Sequence, residues 1–116
     1  MITVKVCRVD KPKLCREIND VVVDTGAVVS AIPAATAREL GIKFPNRRQF
    51  TLANGKKITK SVGTAILEVE GRESSDDIIA ITSGHPLLSV RALEGMGFQV
   101  DPTTRKLKKL DSALLL

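Results

Sequence analysis

Three consecutive valines, Val21-Val22-Val23, run directly into Asp24-Thr25-Gly26. An apolar run on consecutive positions suits a strand buried on both faces, because successive side chains of a strand point to opposite sides. This run ends on a carboxylate. Burying one costs on the order of several kcal/mol unless hydrogen bonds or protonation offset it. Asp and Gly are common turn residues, so the tripeptide by itself is ordinary. Its setting makes it specific: a buried strand precedes it, and Ala27 with a short apolar segment to Ile32 follows.

The rest of the chain reads as short strands separated by turns. Ile2, Val4 and Val6 alternate with Thr3, Lys5 and Cys7, the period of a half-buried strand. Asp10-Lys11-Pro12 is turn chemistry, and a second strand begins near Leu14. Pro33 opens a helical stretch through Leu40, with Gly41 as its stop. Residues 43–49 read as a polar connection. Phe50–Ala53 and Lys57–Lys60 flank Asn54-Gly55, a strong hairpin signal in which both turn residues take positive φ. A strand over Gly63–Val69 turns at Glu70-Gly71-Arg72, residues 73–77 read as a loop, and Ile78–Ile81 as a strand. Thr82-Ser83-Gly84-His85-Pro86 breaks that strand, Leu87–Glu94 reads as a short helix, and Phe98–Val100 and Lys106–Leu110 flank a turn at Asp101-Pro102. Many short strands with regular turns indicate an all-β barrel or sandwich.

Val21-Val22-Val23-Asp24-Thr25-Gly26 has a weak echo in Ile79-Ala80-Ile81-Thr82-Ser83-Gly84, each followed by apolar residues and a short helix. The echo suggests pseudo-twofold halves, with Thr82 standing where Asp24 would repeat.

Composition removes several functions. At 116 residues the chain makes one domain, 1–116. Phe44, Phe50 and Phe98 are the only aromatics and do not make a stacking platform for single-stranded nucleic acid. With His85 as the single histidine, a zinc site built on two or three histidines is excluded, and any Ser-His-Asp triad has to use His85. No apolar run approaches the roughly 18–20 residues of a membrane span, and Met1–Lys5 does not read as a secretory signal. A soluble, cytoplasmic protein is expected, with no membrane partner and no cofactor or metal. Part of the +5 formal charge sits in Arg105-Lys106-Leu107-Lys108-Lys109, which reads as a solvated hairpin with a charged edge. Cys7 and Cys15 would face each other across a hairpin at Lys11. A bond between them is geometrically open, but two free thiols are the expected state, since disulfides are rare in a mesophilic cytosol.

The chain resembles the retroviral-type (retropepsin-like) aspartic proteases and their cellular and prokaryotic relatives. The resemblance runs through Val21–Ala27, then Ser30-Ala31-Ile32-Pro33, the helix to Leu40-Gly41-Ile42, the Asn54-Gly55 hairpin placed like a flap, and Pro86–Leu93. It covers roughly residues 15–110. It departs from the family at Ser89, where a glycine is usual, and at Val28 and Val29, where some viral members carry acidic residues. Arg91 is shifted by one position from the usual arginine.

The resemblance implies an all-β acid-protease barrel with one or two short helices and one active-site loop per subunit. It implies a homodimer in which each subunit gives one aspartate, here Asp24. Two close carboxylates share a proton and titrate as a pair. One activates a water, while the other polarises the scissile carbonyl. Thr25 would hydrogen-bond across the dimer axis, and Gly26 would admit the substrate backbone. Ala27, Val28 and Leu88 would line pockets, and the hairpin around Asn54 and Gly55 would close over an extended peptide or unfolded protein. Leu114-Leu115-Leu116 would suit a terminal dimer strand.

Three other readings compete. The first is a non-catalytic dimer of the same fold that binds peptide or protein. The second is a basic nucleic-acid module using Lys106, Lys108 and Lys109, against which the missing aromatics count. The third is a serine hydrolase using Ser83 or Ser89 with His85, for which no nucleophile-elbow pattern is present. Lys56 and Lys57 beside the hairpin tip would suit acidic substrates, although exposed lysines ordinarily only solubilise.

Overall fold

The structure, a computed structural model, describes residues 1–101, 103–104 and 106–111. The turn residue Pro102, Arg105 of the basic segment and the Leu114–Leu116 tail lie outside the described residues.

The elements in chain order are β1 (Ile2–Cys7), β2 (Cys15–Asp24), β3 (Ser30–Pro33), α1 (Ala34–Leu40), β4 (Asn46–Thr51), β5 (Lys57–Val69), β6 (Arg72–Ile81), β7 (Leu87–Ser89), α2 (Val90–Gly95), β8 (Phe98–Val100) and β9 (Leu107–Lys109). Seven strands form one sheet in the order β1-β2-β7-β3-β6-β5-β4. A further β1–β5 pairing closes it into a barrel, and β4 extends beyond the ring along the first half of β5. Val4, Val6, Val21, Ile32, Leu67, Ile78, Leu88, Leu93 and Phe98 fill the interior. No helix among the described residues is long and apolar enough to cross a membrane.

The internal echo has a structural basis. β2 pairs in parallel with β7, β3 pairs in parallel with β6, and β3 meets β7 antiparallel between them. Each inner strand is followed by a helix. Exchanging the two halves maps this four-strand set onto itself. With Ala31 opposite Leu87, the ladder register sets Val22 against Ile79, so Ile81 rather than Thr82 is the counterpart of Asp24.

Several expectations need correction. Residues 73–77 are not a loop but the first half of β6, because Glu70-Gly71 is a tight two-residue turn that commits the chain to pair at once, Val69 with Arg72. Both its residues have positive φ, 50° at Glu70 and 81° at Gly71. At the other hairpin only Gly55 does, at 84°. There Gly55 N donates to Leu52 O and Leu52 N to Lys56 O, which is a type I turn closed by a glycine bulge. β5 is continuous from 57 to 69, and β4 begins at Asn46 inside the expected connection. The segment read as helix from Leu87 begins instead as β7, and α2 starts only at Val90. Pro33 ends β3 and caps α1 rather than lying in its first turn.

Cys7 and Cys15 are disulfide-bonded rather than free. They are directly opposed in the β1–β2 ladder, in a position that closes the hairpin. β2 also carries a bulge. Ile2 pairs with Val21 but Val4 pairs with Ile18, and Asp20 takes φ 57°. The extra residue reverses the alternation, so Ile18 and Val21 both face the core although three positions apart.

Candidate active site

β2 delivers Asp24 at its last residue, and the chain reverses through Thr25 and Gly26 into β3. Asp24 is half-buried, Thr25 and Gly26 are exposed, and Val22 and Val23 are half-buried rather than enclosed on both faces. The loop is held by its own carboxylate. Gly26 N donates to Asp24 Oδ1 at 2.9 Å and Ala27 N to the Asp24 carbonyl at 3.2 Å. One oxygen is thus occupied in shaping the loop, and the other, Oδ2, has no hydrogen-bond donor among the described residues.

Gly26 is informative because the fold does not require it. Its φ is not positive, and a Cβ there would meet only Asp24 Oδ1 at an ordinary 3.5 Å. Gly63 differs. A Cβ there would run into the Lys43 carbonyl oxygen, with Phe44 Cδ1 at 3.2 Å, so glycine is needed for packing. The absence of a side chain at 26 therefore leaves room outside the chain.

Ala27 is half-buried and Val28, an apolar side chain in the segment that follows the Asp24 loop, is 55% exposed. Leu88 does not join them. At 1% exposure it is enclosed in the core, because alternation along β7 turns it inward. Leu87, its half-buried neighbour, faces the other side. Asn54 and Gly55 lie at the exposed tip of the β4–β5 hairpin, where Asn54 Oδ1 accepts from Lys56 N at 2.9 Å. No hydrogen bond links that tip to the Asp24 loop among the described residues.

Beneath the loop lies a polar cluster that the sequence reading missed. Asp76 on β6 is 4% exposed. Its Oδ2 accepts from Ser30 Oγ at 2.7 Å and from Ser89 Oγ at 2.8 Å. Ser89 N donates to Ser30 Oγ at 3.0 Å, and Ala92 N donates to Ser89 Oγ at 3.1 Å, capping α2. Arg91 reaches Asp76 Oδ1 at 3.4 Å and Asp77 at 3.9 Å. Every buried side-chain polar atom among the described residues has a partner. The missed signal was parity: counting back by twos from the inward Ile78 puts Asp76, Ser74 and Arg72 on the inner face. Each anchors the segment that follows β7. Ser74 Oγ donates to Ala92 O, and Arg72 donates to the carbonyls of Gly97 and Leu110 while stacking on Phe98.

This cluster also disposes of a serine nucleophile at 89. Ser89 is fully buried, and its hydroxyl both donates and accepts within the cluster, whereas His85 is on an exposed loop. No three His, Cys, Asp or Glu side chains gather as a metal-holding group among the described residues. A cavity of about 320 Å³ between Arg8, Ile42, Pro45 and Gly63 contains none of the candidate residues.

A family model described as "gag-polyprotein putative aspartyl protease" matches residues 16–98. Among solved structures, the protease of simian foamy virus (mac), determined in solution, is similar in fold. Its TM-score is 0.51 at 14% sequence identity, over 78% of this chain and 90% of that one. No curated protein matches. The fold is thus the all-β, retropepsin-like one.

Proposed function

The chain belongs to the retroviral-type aspartyl protease family, and on that premise we propose that it is an aspartic endopeptidase whose active site forms between two copies. Each copy contributes Asp24. Brought together, the two carboxylates hold one proton between them, since two adjacent negative charges are costly. The ionised carboxylate takes a proton from water as the water attacks the scissile carbonyl. The protonated one polarises that carbonyl and passes its proton to the leaving nitrogen. Thr25 ties the two loops together across the axis. Gly26, Ala27 and Val28 bound the channel in which an extended peptide or unfolded protein lies. The β4–β5 hairpin, with Asn54 and Gly55 at its tip, closes over the substrate and excludes water.

One observation carries this reading. The chain presents a half-buried carboxylate as the last residue of β2, with one oxygen engaged by Gly26 N and an unneeded glycine beside it. That is half of a two-carboxylate site.

Substituting Asp24→Asn tests it. Peptide cleavage should fall by at least about a thousandfold, with circular dichroism and sedimentation unchanged. A folded Asp24→Asn protein that cleaves as the parent does contradicts the assignment. Cleavage should also be fastest in mildly acidic solution, where the pair retains one proton.

A further inference from the structure

Asp76 stands apart from the proposed chemistry, yet it joins both ends of the loop that carries Asp24. Asp24 pairs with Ser89 in the β2–β7 ladder, and Ser30 begins the strand that leaves the loop. The hydroxyls of Ser89 and Ser30 converge on the same oxygen, Asp76 Oδ2. Each hydroxyl also accepts a backbone N–H, so both are fully committed: Ala92 N to Ser89 Oγ, and Ser89 N to Ser30 Oγ.

We propose that Asp76, Ser30 and Ser89 are positioning residues that fix the spacing and tilt of the Asp24 loop through one buried carboxylate. The inference rests on the protease reading for its catalytic consequence and on the hydrogen bonds alone for its structural one. Three features favour it over a generic buried polar contact. A carboxylate in this place costs burial energy that an apolar residue would not. It accepts both hydroxyl bonds at a single atom, so neither strand shifts without breaking one. It also makes Ser89 serve twice, since one hydroxyl both caps α2 and reaches Asp76. Loops of this kind need sub-ångström placement, because small displacements of reacting groups cost on the order of a hundredfold in rate.

The test uses Ser30→Ala, Ser30→Thr and Asp76→Asn in the 116-residue chain, with two readouts. The first is cleavage, resolved into kcat and KM. Ser30→Ala should lower kcat on the order of 10- to 100-fold with KM little changed and the sedimentation coefficient retained. Ser30→Thr, which keeps the hydroxyl, should restore most of it. Asp76→Asn, which keeps one acceptor oxygen, should fall between. The second readout is amide hydrogen exchange at Gly26 and Ala27, whose N–H groups are bonded within the loop. Exchange there should accelerate in Ser30→Ala while β1 and β5 amides hold. If folded Ser30→Ala keeps the parent kcat and the parent loop exchange, the positioning role is wrong. A fall in kcat that merely follows loss of folded protein, with no rescue by threonine, is equally against it. If the parent protein cleaves no peptide, the protease reading fails. Loop exchange then decides the positioning role on its own.

Discussion

The base of the Asp24 loop and the β4–β5 hairpin are both built from strands, and they are stabilised in opposite ways. At the base, Leu88, Ile32, Ser30, Ser89 and Asp76 are buried, and every polar atom is paired. On the hairpin nearly every residue from 46 to 61 is exposed, and order comes from the ladder between β4 and β5. Charge divides the same way. Lys43, Arg47, Arg48, Lys56, Lys57 and Lys60 lie between residues 43 and 62, where no Asp or Glu occurs. That segment alone accounts for the net charge of +5, and the rest of the chain is close to neutral. The contrast teaches a division of labour. Precision in placing a carboxylate needs a dry, fully satisfied support. An exposed hairpin is held by few buried contacts, and its charge acts at a distance.

The sharpest break of this comparison is a pair of truncations. Leu88→Ala should cost about 2–5 kcal/mol in thermal or denaturant unfolding, whereas Leu52→Ala at the hairpin should cost under about 0.5 kcal/mol. Equal losses at the two sites contradict the contrast. Gly63→Ala probes the joint between the regions. Its methyl meets the Lys43 carbonyl and Phe44, so a loss of about 1–3 kcal/mol is expected. A neutral result in calorimetry would show that the segment entering β4 yields easily.

Reversing charge at the hairpin, Lys56→Glu with Lys57→Glu, should leave the melting temperature nearly unchanged. It should lower kcat/KM for acidic peptides a few-fold at low salt, an effect that fades above roughly 0.15 M. Loss at all salt concentrations, or for neutral peptides equally, would point to damage of the hairpin instead. The smallest effect belongs to a turn. Glu70 holds φ 50° beside Gly71, where asparagine is preferred, so Glu70→Asn should add a few tenths to about 1 kcal/mol. Its ion pair with Lys109, at 3.8 Å on the surface, offsets little of this.

The Asp24 loop was legible because an apolar run, a carboxylate and a glycine each leave a local mark. The stop of α1 was legible for the same reason. Gly41, at φ 71°, closes the helix with Gly41 N on Arg38 O and Ile42 N on Ala37 O. Residues 73–77 were not legible, since a strand that turns Ser74 and Asp76 inward toward partners far along the chain shows no apolar alternation. Asp76 is therefore invisible until β3, β7 and α2 surround it. Leu88 was read correctly as apolar but assigned to the wrong side, because only the start of β7 at Leu87 fixes its parity. The state of Cys7 and Cys15 depended on an expectation about compartment, whereas the β1–β2 register sets the two directly opposite each other.

The central claim is that one chain carries half a site. Cleavage activity per molecule, measured against concentration alongside sedimentation, tests it most directly. Activity per molecule should fall as the protein dilutes from dimer to monomer, and mixing with excess Asp24→Asn chains should suppress it by forming mixed pairs. Constant activity per molecule down to concentrations where the protein sediments as a monomer would contradict the account.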